Sequence, residues 1–536
     1  MKLSRRIKPV TLTVLVMILL VGSVIHAVPT SAESETVRLT WWMPLQNQSV
    51  TDNKAVSAYQ YLEKTANVEF TFKHPALGQE AEAFNLLVSG GDLPDMITYR
   101  WDRFPGGVEA AAQNNILIRL NDLVDSDMPN FNSFIDKFPE VGKAAKTDNG
   151  DLYVFPKIST KTPESSSVYQ SLSGRELYSE SYCGLIIRKD WLDELGLDVP
   201  ETLDQFADVL RAFRDQKGAD APYTTLSFPG GDFIRFSNLF YSAFDLCSDF
   251  YTDGTNVHYG PYEPAYKDLL TYMNMLYTEK LLDNDFAVTD EASMFSKVLT
   301  GKSGAWTGYS NAITTPFDQL HGEDSNSTFV AIGIKNPTKE SGQRNLYKQA
   351  GYPVSLSYGM GITTASKNPE AAARVVDACF TDEGDFAMNW GSPDNSSVEI
   401  VNGWPAWNTN VDSANPADFY KYTAYSGAFA VDDWTRRLQK SSAGTQEGIN
   451  ALTTWDNENG TLPNMMPSVS LASDDISTYS SKITEVQTYV NEMFMKFVMG
   501  QESIDKFDSY IAELQSIGID DLLAMQQAAL DRYNVR

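Results

Sequence analysis

Ser89-Gly90-Gly91-Asp92-Leu93-Pro94-Asp95-Met96-Ile97-Thr98-Tyr99 is the stretch on which the fold turns. Upstream, Ala81 to Val88 reads as a helix, and Ser89-Gly90-Gly91 stops it. Downstream, Asp95 to Tyr99 reads as a short strand behind Pro94. The alternation continues on both sides. Val37 to Met43 alternates as a strand ending at Pro44, with a helix through Tyr59, Tyr61 and Leu62 and a second strand at Val68 to Lys73. Leu152 to Phe155 is an apolar strand ended by Pro156, followed by a Ser/Thr-rich connection from Ser159 to Ser181. Gly184 to Arg188 is a strand and Asp190 to Leu195 a helix closed by Gly196. Thr202 and Gln205 have capping-box spacing, opening a helix with Phe206, Val209, Leu210 and Phe213 on one face. Phe250 to Tyr259, broken by Asp253-Gly254, reads as a hairpin. Glu263 to Leu282 and Asp290 to Leu299 are helical, and the strand Gly359 to Thr364 runs into a helix from Pro369 to Phe380. Beyond Trp407 the chain is mostly helical, ending in Ile483 to Met499, Ser503 to Ile517 and Asp520 to Tyr533. Strands and helices in this order predict an α/β protein with a mainly parallel sheet.

The first residues set the compartment. Lys2, Arg5, Arg6 and Lys8 precede an apolar run from Val10 to Ile25, and Thr30-Ser31-Ala32 offers a small-residue exit. That is the layout of a secretory signal peptide over residues 1–32, cleaved near Ala32, with an uncleaved anchor as the alternative. No cysteine lies near the cleavage region, which excludes a lipid-modified N-terminal cysteine. Cys183, Cys247 and Cys379 sit in apolar stretches and argue against a disulfide framework. The net charge of −28 becomes −32 once the four basic residues of the leader are removed. So acidic a surface argues against nucleic-acid binding. A mature chain of about 504 residues exceeds what one core can serve and implies at least two domains.

The order of several further motifs resembles the family 1 extracellular solute-binding proteins, which include maltose-binding and other oligosaccharide receptors. The motifs are the Ser89–Ile97 stretch, Gly150-Asp151-Leu152-Tyr153-Val154-Phe155-Pro156, Arg188-Lys189-Asp190-Trp191-Leu192 and Pro200-Glu201-Thr202-Leu203-Asp204-Gln205-Phe206. Gly359-Met360-Gly361-Ile362, Lys367-Asn368-Pro369-Glu370-Ala371-Ala372 and Lys496-Phe497-Val498-Met499-Gly500 complete the set. The tail looks like the larger, lipoprotein-type branch with extra C-terminal helices, although the lipid-anchor cysteine of that branch is missing. The resemblance implies a two-lobed periplasmic-binding-protein-like (type II) fold around a ligand cleft. Its lobes are discontinuous: 33–155 plus 359–400, and 156–358 plus 401–536, with crossings near Tyr153–Lys157 and Tyr358–Ile362. It also implies a membrane ABC permease as partner, with an oligosaccharide-like solute as cargo, a monomeric state and an extracellular or cell-surface location.

Open α/β sheets bind ligands beyond the carboxyl ends of their strands. After the strand Asp95–Tyr99 the chain reads Arg100-Trp101-Asp102-Arg103-Phe104. The resemblance implies an Asp-Arg pair here for sugar hydroxyls; a carboxylate accepts from two hydroxyls and a guanidinium donates in a fixed fork. Trp101 and Tyr99 add apolar faces for a sugar ring. Trp41 and Trp42 alternate across the first strand, so one is core and the other, taken as Trp42, is free for the cleft with Gln46 and Asn47. Trp306 and Tyr309, in the stretch Ala305–Tyr309 that resembles the family's strand into the cleft, are the stacking candidates of the second lobe. Trp390, Trp404 and Trp407 lie in a polar, irregular stretch that points to a binding surface, and Tyr182 is a further candidate. The alternative is burial in the core for the strand aromatics, and packing between the C-terminal helices and the lobe for Trp390, Trp404 and Trp407.

Enzymatic motifs fail on inspection. Gly301-Lys302-Ser303 lacks the leading glycine of a phosphate loop, since Ser296 holds that place. Gly359-Met360-Gly361 has Thr364 where a dinucleotide fingerprint needs its third glycine. His74, His258 and His321 are widely spaced, no Gly-x-Ser-x-Gly occurs, and Asp456 to Gly460 does not complete a calcium loop. The expectation is a solute-binding receptor without catalytic residues, cofactor or metal. A secreted glycosidase or lyase and a ligand-binding sensor are the rival readings.

Overall fold

In the computed structural model, Val37–Arg536 form one compact unit. The structure describes residues 35–45, 50–101, 104–163, 165–178, 183–226, 239–346, 353–392, 398–408, 420–424, 430–433, 446–458 and 465–536. The strands in chain order are β1 Val37–Trp42, β2 Val68–Lys73, β3 Met96–Tyr99, β4 Phe155–Lys161, β5 Glu176–Leu177, β6 Cys183–Arg188, β7 Tyr223–Thr224 and β8 Phe250–Thr252. β9 Val257–Tyr259, β10 Ala305–Tyr309, β11 Ala331–Ile334, β12 Val354–Ile362, β13 Val398–Val401, β14 Trp404–Trp407 and β15 Ala430–Asp433 follow.

Two larger sheets carry the molecule. The first runs β15-β4-β12-β3-β1-β2, with β5 beside β4; the second runs β11-β6-β10-β7. Both are mixed, which corrects the mainly parallel expectation. β1 pairs parallel with β2 and β3, but β12 runs antiparallel to β3 and β4, and β6 antiparallel to β10 and β11. The chain passes between sheets between Leu177 and Cys183 and again between Ile334 and Val354, not at Tyr153–Lys157 and Tyr358–Ile362. Pro156 does not end its strand either. It lies at the start of β4, opposite a register irregularity between Ser355 and Met360 of β12, where its missing N–H breaks no ladder bond.

The recurrent motifs act as brackets. The Asp95 carboxylate accepts from the Thr40 backbone N–H (2.8 Å) and hydroxyl (2.7 Å), which pins the entry of β3 to β1. The Thr202–Gln205 capping box forms as predicted, with Gln205 N–H on Thr202 Oγ1 at 3.2 Å and Thr202 N–H on Gln205 Oε1 at 3.1 Å. The helix that it opens, Leu203–Lys217, buries Phe206, Val209, Leu210 and Phe213. One carboxylate oxygen of Asp377 caps helix Pro129–Lys137 by accepting from the N–H groups of Asn130 and Phe131, both at 2.9 Å.

Close approach fixes two glycines of the second sheet. Helix Gln446–Glu458 lays Trp455 across it, and the indole N–H donates to Leu185 O at 3.1 Å. A Cβ on Gly184 would stand 2.4 Å from Trp455 Nε1, and one on Gly333 2.5 Å from the Ala451 Cβ.

At the far edge of the first sheet, Arg175 and Asp385 form a fully buried ion pair. Arg175 reaches the two carboxylate oxygens at 3.1 and 2.5 Å. Its Nε donates to Gln170 O at 3.0 Å, its plane lies over the Tyr169 ring, and it also bonds the Tyr169 hydroxyl. Asn389 ties the same carboxylate (3.1 Å) to Val431 O of β15 (3.0 Å). A charge stripped of water here depends wholly on its partner. We expect Asp385→Ala to lower unfolding free energy in urea by about 3–5 kcal/mol, because Arg175 is left uncompensated. Replacing Arg175 by Met in the same chain should recover much of that loss.

Candidate functional site

β1 and β3 run side by side in one direction, so their carboxyl ends open on the same edge of the first sheet. At the exit of β1, His74 clasps the chain. Its Nδ1 is 2.8 Å from Met43 O, which can only accept, so Nδ1 carries the proton and Nε2 accepts the Asn53 N–H at 3.2 Å. The Asn53 side chain is buried, and neither end of its amide has a hydrogen-bond partner among the described residues. In the sequence His74 stands out only as one of three widely spaced histidines, and Asn53 not at all.

The anticipated site residues that the structure describes have definite places. Trp41 is core, with its ring edge-on to Tyr59 (5.6 Å) and Phe70 (5.3 Å) and its N–H on Thr98 Oγ1. The opposite face expected for Trp42 is also confirmed in direction, yet that face is covered. Trp42 and Tyr99 are buried with Phe84 of helix Glu80–Gly90, at centroid distances of 5.9 and 4.4 Å from it. Trp101 joins them, fully buried, with its N–H on Gly359 O at 3.1 Å, locking the exit of β3 to β12. Gln46, Asn47, Asp102, Arg103 and Tyr182 lie outside the described residues.

Trp306 is fully buried with Ile186, Ala312 and Trp455, and its N–H donates to Ala312 O at 3.0 Å. Its ring is committed to packing. Tyr309, three residues on, is half-buried at the end of β10.

The three later tryptophans do gather. β13 and β14 form a hairpin around Asn402 (φ 53°) and Gly403 (φ 84°), the left-handed pair of a tight Asn-Gly turn. Trp404 and Trp407 are three apart on β14 and face opposite ways. Trp407 packs at 5.4 Å from Trp390 and 6.2 Å from Tyr422. Trp404 packs at 6.4 Å from Tyr169, whose N–H donates to Gly403 O at 3.0 Å. Trp390 is fully buried, and its indole N–H has no partner among the described residues. Trp404, Trp407, Tyr169 and Tyr422 stay half-buried. The segment of Tyr422 docks on helix Ser57–Ala66, where the N–H groups of Ser57 and Ala58 donate to Lys421 O and Tyr422 O. Tyr169 and Tyr422 were missed; Asn402-Gly403 between two apolar runs was the available signal for the hairpin.

The half-buried rings offer amphipathic faces of the kind that takes the C–H side of a sugar. No group of three or more His, Cys, Asp or Glu side chains that could hold a metal occurs among the described residues. None of the described helices is long and apolar enough to cross a membrane.

The burial difference is measurable. Trp306→Ala should cost about 3–5 kcal/mol of unfolding free energy, the range for a fully buried large side chain. Trp404→Ala should cost about 1 kcal/mol, and urea titrations followed by circular dichroism separate the two.

Residues 46–385 match the family model described as bacterial extracellular solute-binding protein. Among curated relatives, the fructooligosaccharide ABC transporter substrate-binding protein FusA of Streptococcus pneumoniae is 24% identical over 469 residues, covering 84% of this chain and 82% of its own. The polygalacturonan/rhamnogalacturonan-binding protein YtcQ of Bacillus subtilis is 23% identical over 506 residues, covering 90% and 89%. Among solved structures, the alginate-binding protein AlgQ2 superposes with a TM-score of 0.72 at 22% identity, covering 93% of this chain and 98% of that one. That likeness establishes a shared two-domain solute-binding fold.

Proposed function

Because this chain belongs to the bacterial extracellular solute-binding protein family, we propose that it is the binding component of an ABC importer for an oligosaccharide. It holds the sugar between two lobes, hands it to membrane permease subunits and leaves it chemically unchanged. The observation that carries this reading is the half-buried aromatic set Trp404, Trp407, Tyr169 and Tyr422 on a fold with two separate sheets. The names of the relatives support it, since FusA and YtcQ are both named for oligo- or polysaccharides.

The lobes proposed are 33–155 plus 359–400 and 156–358 plus 401–536, amended so that β4, β12 and β15 count with the first sheet. The proposed export route is the signal peptide over residues 1–32, which places a monomeric receptor outside the cell. Ligand contact with both lobes favours their closed arrangement, because only that arrangement gains both sets of contacts. Half-buried rings suit this role: their exposed faces stack on sugar while their buried edges hold them in orientation. Tyr309 at the end of β10 is the proposed contact from the second sheet. Gln46, Asn47, Asp102 and Arg103 remain proposed hydroxyl partners, and Tyr182 a proposed aromatic contact. Trp42, Tyr99, Trp101, Trp306 and Trp390 are proposed to support those surfaces from behind.

Titration calorimetry against fructo-, pectic, alginate and host-glycan oligosaccharides tests the proposal. At least one should bind with a dissociation constant of about 1 μM or better, near 8 kcal/mol. Mass spectrometry should recover that sugar intact; turnover would sink the receptor reading. Trp407→Ala should weaken binding about tenfold, the equivalent of roughly 1.4 kcal/mol.

A further inference from the structure

Helix Ile519–Val535 has its two ends in different cores. Ile519 and Leu522 are buried among the residues of the second sheet's core, with Phe494 and Tyr510, while Tyr533 is buried among those of the first. Its 17 residues span roughly 25 Å as one rigid rod. The second-core end is held by apolar packing and by Gln527, which accepts from Val257 N–H (2.8 Å) and donates to Thr255 O (2.9 Å) in the β8–β9 hairpin.

At the far end an ionic network is added to the buried Tyr533. Asp148 lies in the turn after helix Pro139–Ala145, and its carboxylate takes Arg536 Nε at 2.9 Å and the Nε of Arg532. Arg536 also donates to Lys146 O (2.6 Å), Lys143 O (3.1 Å) and Ser470 Oγ (3.2 Å). Arg532 donates to Ser470 O at 2.8 Å. Ser468 in turn donates to Val354 O of β12 at 3.2 Å, and Lys143 sits 4.6 Å above the Tyr533 ring. Beside the knot, burial and then the Asp148 charge raise the Glu109 carboxyl above its ordinary range. Arg532 and Asp148 keep contact with solvent, whereas the Arg536 side chain is only 9% exposed.

We infer that Asp148, Arg532 and Arg536 form a releasable clamp that limits how far the part built on the first sheet moves against the part built on the second. This rests on the reading of the protein as a receptor whose lobes close. A rod anchored in two cores cannot follow both when they rotate, so one end must give. Apolar side chains lose their contacts within an ångström or so of separation, whereas partly hydrated charges exchange partners with water and ions at small cost. The end where solvent-touching Asp148 and Arg532 supply part of the hold beside Tyr533 therefore yields first, and salt weakens it.

Pulsed electron resonance on the full chain tests this without any ligand. Spin labels at Leu86→Cys and Val288→Cys, both exposed, report on the two parts in a Cys247→Ser background. The unmodified clamp should give a narrow distance distribution at low salt that widens about twofold in 0.5 M sodium chloride. Asp148→Asn and the double change Arg532→Gln with Arg536→Gln should be wide at both salt levels. Arg532→Lys with Arg536→Lys, keeping charge but losing the fork, should lie between. Equal widths in all these proteins at both salt levels would overturn the clamp. Were a variant to misfold, a salt-insensitive width in the unmodified clamp would overturn it alone. Calorimetry then separates the two readings: salt-sensitive widths without oligosaccharide binding keep the clamp and sink the receptor.

Discussion

The buried pair of Arg175 and Asp385 organises one flank of the molecule. Two opposite charges with almost no solvent contact hold the connection after β4, helix Asp382–Trp390 and, through Asn389, strand β15 to one point. Each charge removed from water needs its partner, so these three segments are bound to adopt their places together. Tyr169 stands over the arginine and carries the Trp404 side of the hairpin, while helix Asp382–Trp390 carries Trp390 and, against it, Trp407. The aromatic surface thus inherits its geometry from an electrostatic requirement beneath it.

Among the described residues, many aromatic side chains are committed to packing. Trp42, Tyr99 and Trp101 close one face of the first sheet against helix Glu80–Gly90, and Trp306 and Trp455 close the second sheet against its helices. A tryptophan at a strand end contributes more by full burial than by half exposure unless something pays the difference. In the hairpin β13–β14 half exposure persists for Trp404 and Trp407, which strand alternation turns to opposite faces.

Strand and helix order, the capping box at Thr202, the β8–β9 hairpin and the terminal helices were legible in the sequence, because each is written in local spacing. The mixed sheets were not. β12 enters antiparallel between β3 and β4, and β15 parallel beside β4, from residues far away in the chain. Pro156 misled for a related reason: its missing N–H matters only if a partner needs it, and the irregular register of β12 removes that need.

The sequence by itself determined the α/β class, the kinship with solute-binding receptors and the supply of aromatic candidates, since periodicity, caps and motif order are properties of neighbours along the chain. Only the tertiary structure decided which of those rings are core and which keep an open face, and which carboxylate each arginine meets. Burial and ion pairing depend on segments up to several hundred residues apart, as Asp148 and Arg536 are. Local pattern gives a side chain its direction from the backbone; only packing decides what lies there.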